Sequence, residues 1–195
     1  MLLLEDIRKL VLFLHQSLDG YCATLEGGLD WIPYNQALEE YAERIVATVG
    51  TPVYGRVTYE LMKSYWPTVL QDTNASEHDR AHATWLENVE KIVVSTTLGV
   101  EDWNNTTVIA QNVAEEMKKR KEEPGKDLVI FGSPTRARTL MSAHLIDELQ
   151  LTVSPVILGA GLTFMRSIKE RTNLELLSSE QIEGGVLGLH YKVVV

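Results

Sequence analysis

Three short stretches carry small, hydroxyl or guanidinium residues directly after apolar runs, two of them opening on glycine. They are Gly55-Arg56-Val57-Thr58, Ser95-Thr96-Thr97 and Gly132-Ser133-Pro134-Thr135. The chemistry such stretches perform is anion binding. A glycine lets the backbone approach a phosphate, and a helix that starts there offers free N–H groups and the positive end of its dipole. Arg56 adds a charge that pairs with phosphate, and Ser and Thr add donors. One such junction is a turn with a helix cap. Three in succession point to a nucleotide. The formal fingerprints are absent: no Gly-x-Gly-x-x-Gly follows a strand, GAGLTF at 159–164 lacks the third glycine, and there is no Walker A sequence.

Other chemistries are weaker. His78 and His82 are four apart, which on a helix shares a face, with Glu77 and Asp79 beside them. The residue after His78 is Asp79, so the His-Glu-x-x-His pattern fails, and no third ligand stands out; the stretch reads as a charged helix face with no metal. No Gly-x-Ser-x-Gly elbow occurs. Cys22 is the only cysteine, so an intrachain disulfide is ruled out, and nothing beside it lowers a thiol pKa. Asp19 serves either as a substrate-binding or proton-supplying carboxylate or as a turn residue in Asp-Gly. Trp31 either stacks on a flat substrate or anchors its loop, and Tyr65 and Trp66 either line a pocket or belong to the core. His15, His144 and His190 lie in apolar strand or helix patterns and read as packed or half-exposed.

The elements that must carry these residues follow from periodicity. Residues 9–15 form a short apolar run, as in a strand buried on both faces. A long Gly-rich loop follows, then a helix with Leu38, Tyr41, Ala42, Ile45, Val46 and Val49 on one face. A strand over 51–55 feeds a helix that Trp66-Pro67 is expected to stop. A helix over 75–87 and strands over 89–96 and 106–110 come next. A charged helix then breaks at Pro124-Gly125. Residues 127–131 are a strand, leading to a helix with Ala137, Leu140, Met141, His144 and Leu145 on one face, then a strand over 147–158. The last third reads as two antiparallel strands joined at Glu183-Gly184-Gly185. Alternating strands and helices predict an α/β fold with a mixed, mostly parallel sheet and helices on both faces. Such sheets bind ligands beyond the carboxyl ends of their strands.

The chain has 195 residues, which predicts one domain over 1–195. Its 18 basic and 27 acidic residues give a net charge of −9, which disfavours nucleic acid and anionic membrane surfaces as partners. No apolar run approaches the ~20 residues of a membrane span. The apolar start is broken by Glu5, Asp6, Arg8 and Lys9, unlike a signal peptide, so a cytoplasmic protein is expected.

Taken in order, the motifs resemble the dihydrofolate reductase-like superfamily, and are most similar to stand-alone relatives of the riboflavin-pathway reductase domain, the RibD C-terminal type. The matching pieces are SLDGY at 17–21, Asp30-Trp31, GRVTYE at 55–60, Trp66-Pro67, KIVVSTTL at 91–98, W-x-NTTV at 103–108, PGKDLVIFGS at 124–133 and LIDELQLTVSPVILGAG at 145–161. The resemblance implies a three-layer fold and an NADPH-dependent reductase. Its hydride acceptor would be a small heterocycle, as for 5-amino-6-(5-phosphoribosylamino)uracil reductase or dihydrofolate reductase. It implies that Gly55, Arg56 and Thr58 hold cofactor phosphates, that Ser95 and Thr96 lie near the adenosine, and that Gly132, Ser133, Pro134 and Thr135 cradle the pyrophosphate. The 17–36 loop, with Asp19 as its catalytic carboxylate, would flank nicotinamide and substrate, and Trp31, Trp66 and Thr152 would face the substrate. It also implies a homodimer, for which the 154–161 segment and the C-terminal strand are the candidate surfaces. The sequence departs from the pattern at the substrate end. Asn35-Gln36 stand where folate reductases carry an acid, Phe131 stands where the riboflavin-pathway enzyme carries a glutamate, and the deaminase signatures are missing. A non-catalytic NADPH-binding or sensor protein of the same fold is the alternative.

Overall fold

The computed structural model describes residues 7–132 and 134–194. Strand β1 (Leu10–Ser17) is buried at every position except His15, which is half-buried; this is why it reads as a continuous apolar run. It is a central strand of an eight-stranded sheet that also contains β3 (Val49–Gly55), β4 (Lys91–Val94), β5 (Thr106–Ile109), β6 (Asp127–Phe131), β7 (Glu148–Ser154), β9 (Asn173–Ile182) and β10 (Val186–Val194). The order across the sheet is β5-β4-β3-β6-β1-β7-β10-β9. All contacts from β5 to β7 are parallel, and β10 runs antiparallel to both its neighbours. The mixed, mostly parallel sheet expected from the alternation is therefore present.

Right-handed crossovers decide which helix lies on which face. The chain moves one way across the sheet through α1 (Gln36–Val46), α2 (Arg56–Val69) and α3 (Glu77–Asn88), and returns the other way through α4 (Val113–Glu122) and α5 (Pro134–Ser142). The first three helices accordingly cover one face and the last two cover the other. Side-chain alternation matches. Leu10, Leu12 and Leu14 pack with Met117, Ala137 and Leu140 of α4 and α5, whereas Val11 and Phe13 pack with Leu38, Tyr41 and Ile45 of α1. Tyr54 and Val93 join Tyr59 and Leu86 in a third cluster beneath α2 and α3.

Several boundaries differ from the sequence expectation. Helix α2 runs through Trp66-Pro67 to Val69. Pro67 falls in the last turn, where it removes a single backbone bond, so it does not stop the helix. Helix α5 ends at Ser142, and His144 adopts φ +54 as the residue that turns the chain. The His144 N–H donates to the Met141 carbonyl and the Leu145 N–H to the Leu140 carbonyl. Both residues thus belong to a left-handed helix cap and lie beyond the helix face. Strand β7 stops at Ser154 because Pro155 follows. The Gly-rich loop contains a short strand, β2 (Tyr21–Ala23), which pairs antiparallel with β8 (Leu162–Thr163) in a separate two-stranded sheet.

Candidate functional site

The site is built at the carboxyl ends of β4, β3, β6, β1 and β7, five neighbours in the sheet. Strands β3 and β6 lie side by side, and each passes at once into a helix, α2 on one face and α5 on the other. Gly132, just after β6, has φ +62, a left-handed conformation that favours glycine. A Cβ built there would face Thr58 Oγ1 of α2 at 3.8 Å, so the Gly55–Thr58 and Gly132–Thr135 junctions converge. Residue Ser133 lies outside the described residues. Pro134 takes the first helical position, where its missing N–H costs nothing.

The charges at these helix starts set them apart. The first turns of α1, α3 and α4 carry Glu39, Glu77 with Asp79, and Glu115 with Glu116, each favourable beside a helix N-terminus. The first turns of α2 and α5 carry no acidic residue, and Gly55 gives α2 no side-chain cap. Arg56 is exposed and its Nη1 donates to both carboxylate oxygens of Glu60, at 2.9 and 2.8 Å. Thr135 is exposed and accepts from Arg138 at 3.3 Å. At the third junction Ser95 is buried, and its Oγ accepts the N–H groups of Thr97 and Leu98, so that hydroxyl shapes the turn. Thr96 is exposed.

The other half of the edge belongs to β1 and β7. Thr152 is fully buried and stands in register with His15; its Oγ1 lies 2.6 Å from His15 Nδ1. Burial lowers the His15 imidazole to about 4, so it is neutral at pH 7. Its ring meets Phe13 edge-on at 5.0 Å and Tyr34 at 6.0 Å. The family resemblance marks Thr152, whereas its partner His15 reads from the sequence as a packed or half-exposed residue, because a histidine in an apolar strand carries no signal of its own.

Asp19 is an anchor. Its carboxylate accepts the Ser17 hydroxyl at 2.7 Å and the backbone N–H groups of Leu158 at 3.1 Å and Gly159 at 2.8 Å. The Ser17 hydroxyl, with these two amides, holds the carboxyl down at about 2. Arg166 extends the same lock: its Nη1 donates to Tyr21 Oη at 2.6 Å and its Nη2 to the Asp19 carbonyl at 3.3 Å. Gly161 allows the lock to close, since a Cβ there would lie 2.2 Å from the Ala23 carbonyl oxygen. The GAG run thus joins the 155–161 segment to β2.

The remaining candidates separate. Trp31 donates its Nε1–H to the Gly28 carbonyl at 3.2 Å and packs on the α1 cluster, as does Phe131. Trp66 donates to Met62 Sδ at 3.1 Å and lies 4.3 Å from the His82 ring, between α2 and α3. These contacts are in the helix layer, and the ring also packs on the cluster of Tyr54, Tyr59 and Val93. Burial likewise lowers His82 to about 4, and His78 Nδ1 lies 2.5 Å from Glu43. Burial raises the Cys22 thiol to about 11. Asn35 Oδ1 accepts the Leu38 N–H as the cap of α1. Among the described residues no three metal-ligating side chains gather, and no helix is long and apolar enough to cross a membrane.

A mostly parallel eight-stranded sheet with its glycine junctions along one carboxyl edge defines a dihydrofolate reductase-like fold. The fold superimposes on a putative riboflavin biosynthesis protein from Shewanella sp. PV-4 with a TM-score of 0.66 and 20% identity, covering 96% of this chain and 99% of that one. It also matches Enterococcus faecalis dihydrofolate reductase, solved in complex with NADP(H), with a TM-score of 0.58 and 17% identity, covering 96% and 97%. The family model for the RibD C-terminal domain matches residues 8–187, and the chain belongs to that family. The uncharacterized protein YyaP of Bacillus subtilis is 28% identical over 188 residues, 94% of each chain.

Proposed function

We propose that the protein is an NADPH-dependent reductase that transfers hydride to a small heterocyclic substrate. The observation that carries this reading is the pair of helix starts at β3 and β6. They converge on Gly132 and Thr58 and, unlike the other helices, bring no acidic residue to their first turns. An anionic cofactor backbone fits that arrangement. Membership of the RibD C-terminal family and likeness to a reductase solved with NADP(H) support it.

In this reading Arg56 and Thr58 bind phosphate, and Gly132, Pro134 and Thr135 let the pyrophosphate approach the start of α5. Ser133 belongs with them by its place in the motif. Thr96, with Ser95 shaping its turn, flanks the adenosine. Bound NADPH supplies the hydride. Trp31 and Phe131 wall the substrate end, and Thr152 orients His15. Asp19 is ionised at neutral pH, so it cannot release the proton that completes the reduction; it holds the backbone at Leu158 and Gly159 in place. Trp66 supports the helix layer.

One observation favours the non-catalytic alternative. Asp19 is ionised and bonded, Asn35 is a cap, and Gln36 donates to Glu40, so the loop offers no acid in the place where folate reductases keep theirs. Titration with NADPH and NADH, followed by tryptophan fluorescence, tests binding. Saturable binding preferring NADPH supports the cofactor reading, and no response to either removes it. Consumption of NADPH with a pterin or pyrimidine acceptor separates enzyme from sensor.

A single cytoplasmic domain that forms a homodimer completes the proposal. Strand β9 is exposed at nine of its ten positions; Leu174 and Leu176 on β9, Leu187 on β10 and Ile157 of the 154–161 segment are exposed and offer apolar surface for a second copy.

A further inference from the structure

We infer that His15 is a catalytic residue whose Nε2 hydrogen-bonds the ring carbonyl or ring nitrogen of the heterocycle that accepts the hydride. The inference rests on the reductase reading above and adds a residue to it.

Position comes first. Strand β1 lies between β6, which ends at the Gly132 junction, and β7, which carries Thr152. The Gly132 N–H donates to the Phe13 carbonyl at 3.1 Å, so His15 stands two residues beyond the point where the phosphate-side turn is pinned to β1. Two residues along a strand is about 7 Å. His15 therefore lies at the junction between the anion-binding half of the edge and the β1–β7 half.

Its bonding comes second. Nδ1 is committed to Thr152, while Nε2 has no hydrogen-bond partner among the described residues, and the ring is half-buried. When the Thr152 hydroxyl donates to Nδ1, the ring proton sits on Nε2 and points away from the strand partner. The other histidines near acids are used differently: His78 meets Glu43 and His190 meets Glu148. Ser154 Oγ, fully buried and on the same face as Thr152, also has no hydrogen-bond partner, which marks this strand end as a place with unspent polar capacity.

The chemistry fits a neutral imidazole. A hydride passes from the dihydronicotinamide of NADPH to a ring carbon, leaving NADP⁺, and negative charge grows on the conjugated oxygen or nitrogen of the acceptor. An N–H aimed at that atom stabilises the charge without giving up its proton. The proton that completes the reduction then comes from water. Phe13 and Tyr34 hold the ring between an apolar wall and an exposed aromatic, which suits a flat acceptor.

The test is nitrogen NMR of the histidine side chains in ¹⁵N-labelled protein, with tryptophan fluorescence read in parallel. NADPH is added to saturation, then 5,6-diaminouracil or 6-methylpterin at millimolar concentration. The expected result is a shift of the His15 ring signals when the uracil or pterin joins the NADPH complex, with His78 and His190 unmoved. Where a probe oxidises NADPH, His15→Ala loses tenfold or more in kcat and His15→Gln, which restores a side-chain N–H, recovers at least a third of it. Saturating NADPH binding with His15 signals unmoved by either acceptor overturns the inference and leaves the cofactor reading intact. A protein in which NADPH moves neither fluorescence nor any histidine fails the cofactor reading itself, and the role of His15 falls with it.

Discussion

The Asp19 carboxylate accepts the Gly159 N–H at 2.8 Å, joining the end of the first strand to a segment 140 residues later. The neighbouring amide of Leu158 and the hydroxyl of Ser17 share the same carboxylate. Asp19→Asn keeps the shape but removes the charge that makes these bonds strong. Amide hydrogen exchange at Leu158 and Gly159 should speed up, while NADPH affinity stays within twofold of wild type. The folded carboxyl sits at about 2, below its ordinary 3.8. Its contribution is therefore present above pH 3.8 and is lost as pH falls through about 2. Unchanged exchange at both amides would show that Asp19 anchors nothing.

Arg56→Ala should weaken NADPH binding by about 1–3 kcal/mol, the range of a charge-assisted contact to phosphate. The pairing with Glu60 is exposed and gives little stability of its own, so thermal unfolding should barely move. Calorimetric titration of wild type and variant checks both statements. Equal affinities would take Arg56 out of the site.

The fold was legible because the signals that carry it are local. The run at 127–131 matches β6 residue for residue, and the alternation of helix and strand announced the parallel sheet. The glycine junctions were legible for the same reason, since Gly132 needs its φ and Arg56 follows a strand directly. What stayed hidden depends on contacts across the chain. The β2–β8 pair has only three and two residues, too few for a periodicity to show. Asp-Gly at 19–20 looks like a turn in sequence, and its bonds to Leu158 and Gly159 are visible only in three dimensions. His15 gains meaning only from Thr152 on the neighbouring strand. Trp66 looked like a pocket aromatic because a tryptophan beside a glycine-initiated helix does not reveal which way it faces.

Gly161→Ala tests the seam between the Gly-rich loop and the 155–166 segment. The added methyl would lie 2.2 Å from the Ala23 carbonyl oxygen, and backbone must shift to admit it. Overpacking of this kind costs about 1–3 kcal/mol. A urea titration should show the lower midpoint, and protease should cut the 18–29 loop faster. A variant of wild-type stability would mean that β2 and β8 separate at no cost.

Acid should destabilise the protein between pH 6.5 and 4, with His15 and His82 as the main titrating causes. Burial lowers both from 6.5 to about 4, and the neighbouring His78 adds to the effect at His82. In that window the unfolded chain binds more protons than the folded one, so stability rises with pH. The advantage is complete above pH 6.5, shrinks as pH falls toward 4, and shrinks no further once both states are protonated. Each histidine contributes at most about 3 kcal/mol. The His82 ring lies 4.3 Å from Trp66 and 5.3 Å from Trp85, so His82→Phe keeps an aromatic in the same slot but has no proton to bind. Urea midpoints at pH 4.5, 5.5 and 7 should therefore fall less steeply in the variant than in wild type. Parallel slopes would show that His82 is not charged on unfolding in this range and would leave the acid sensitivity to His15.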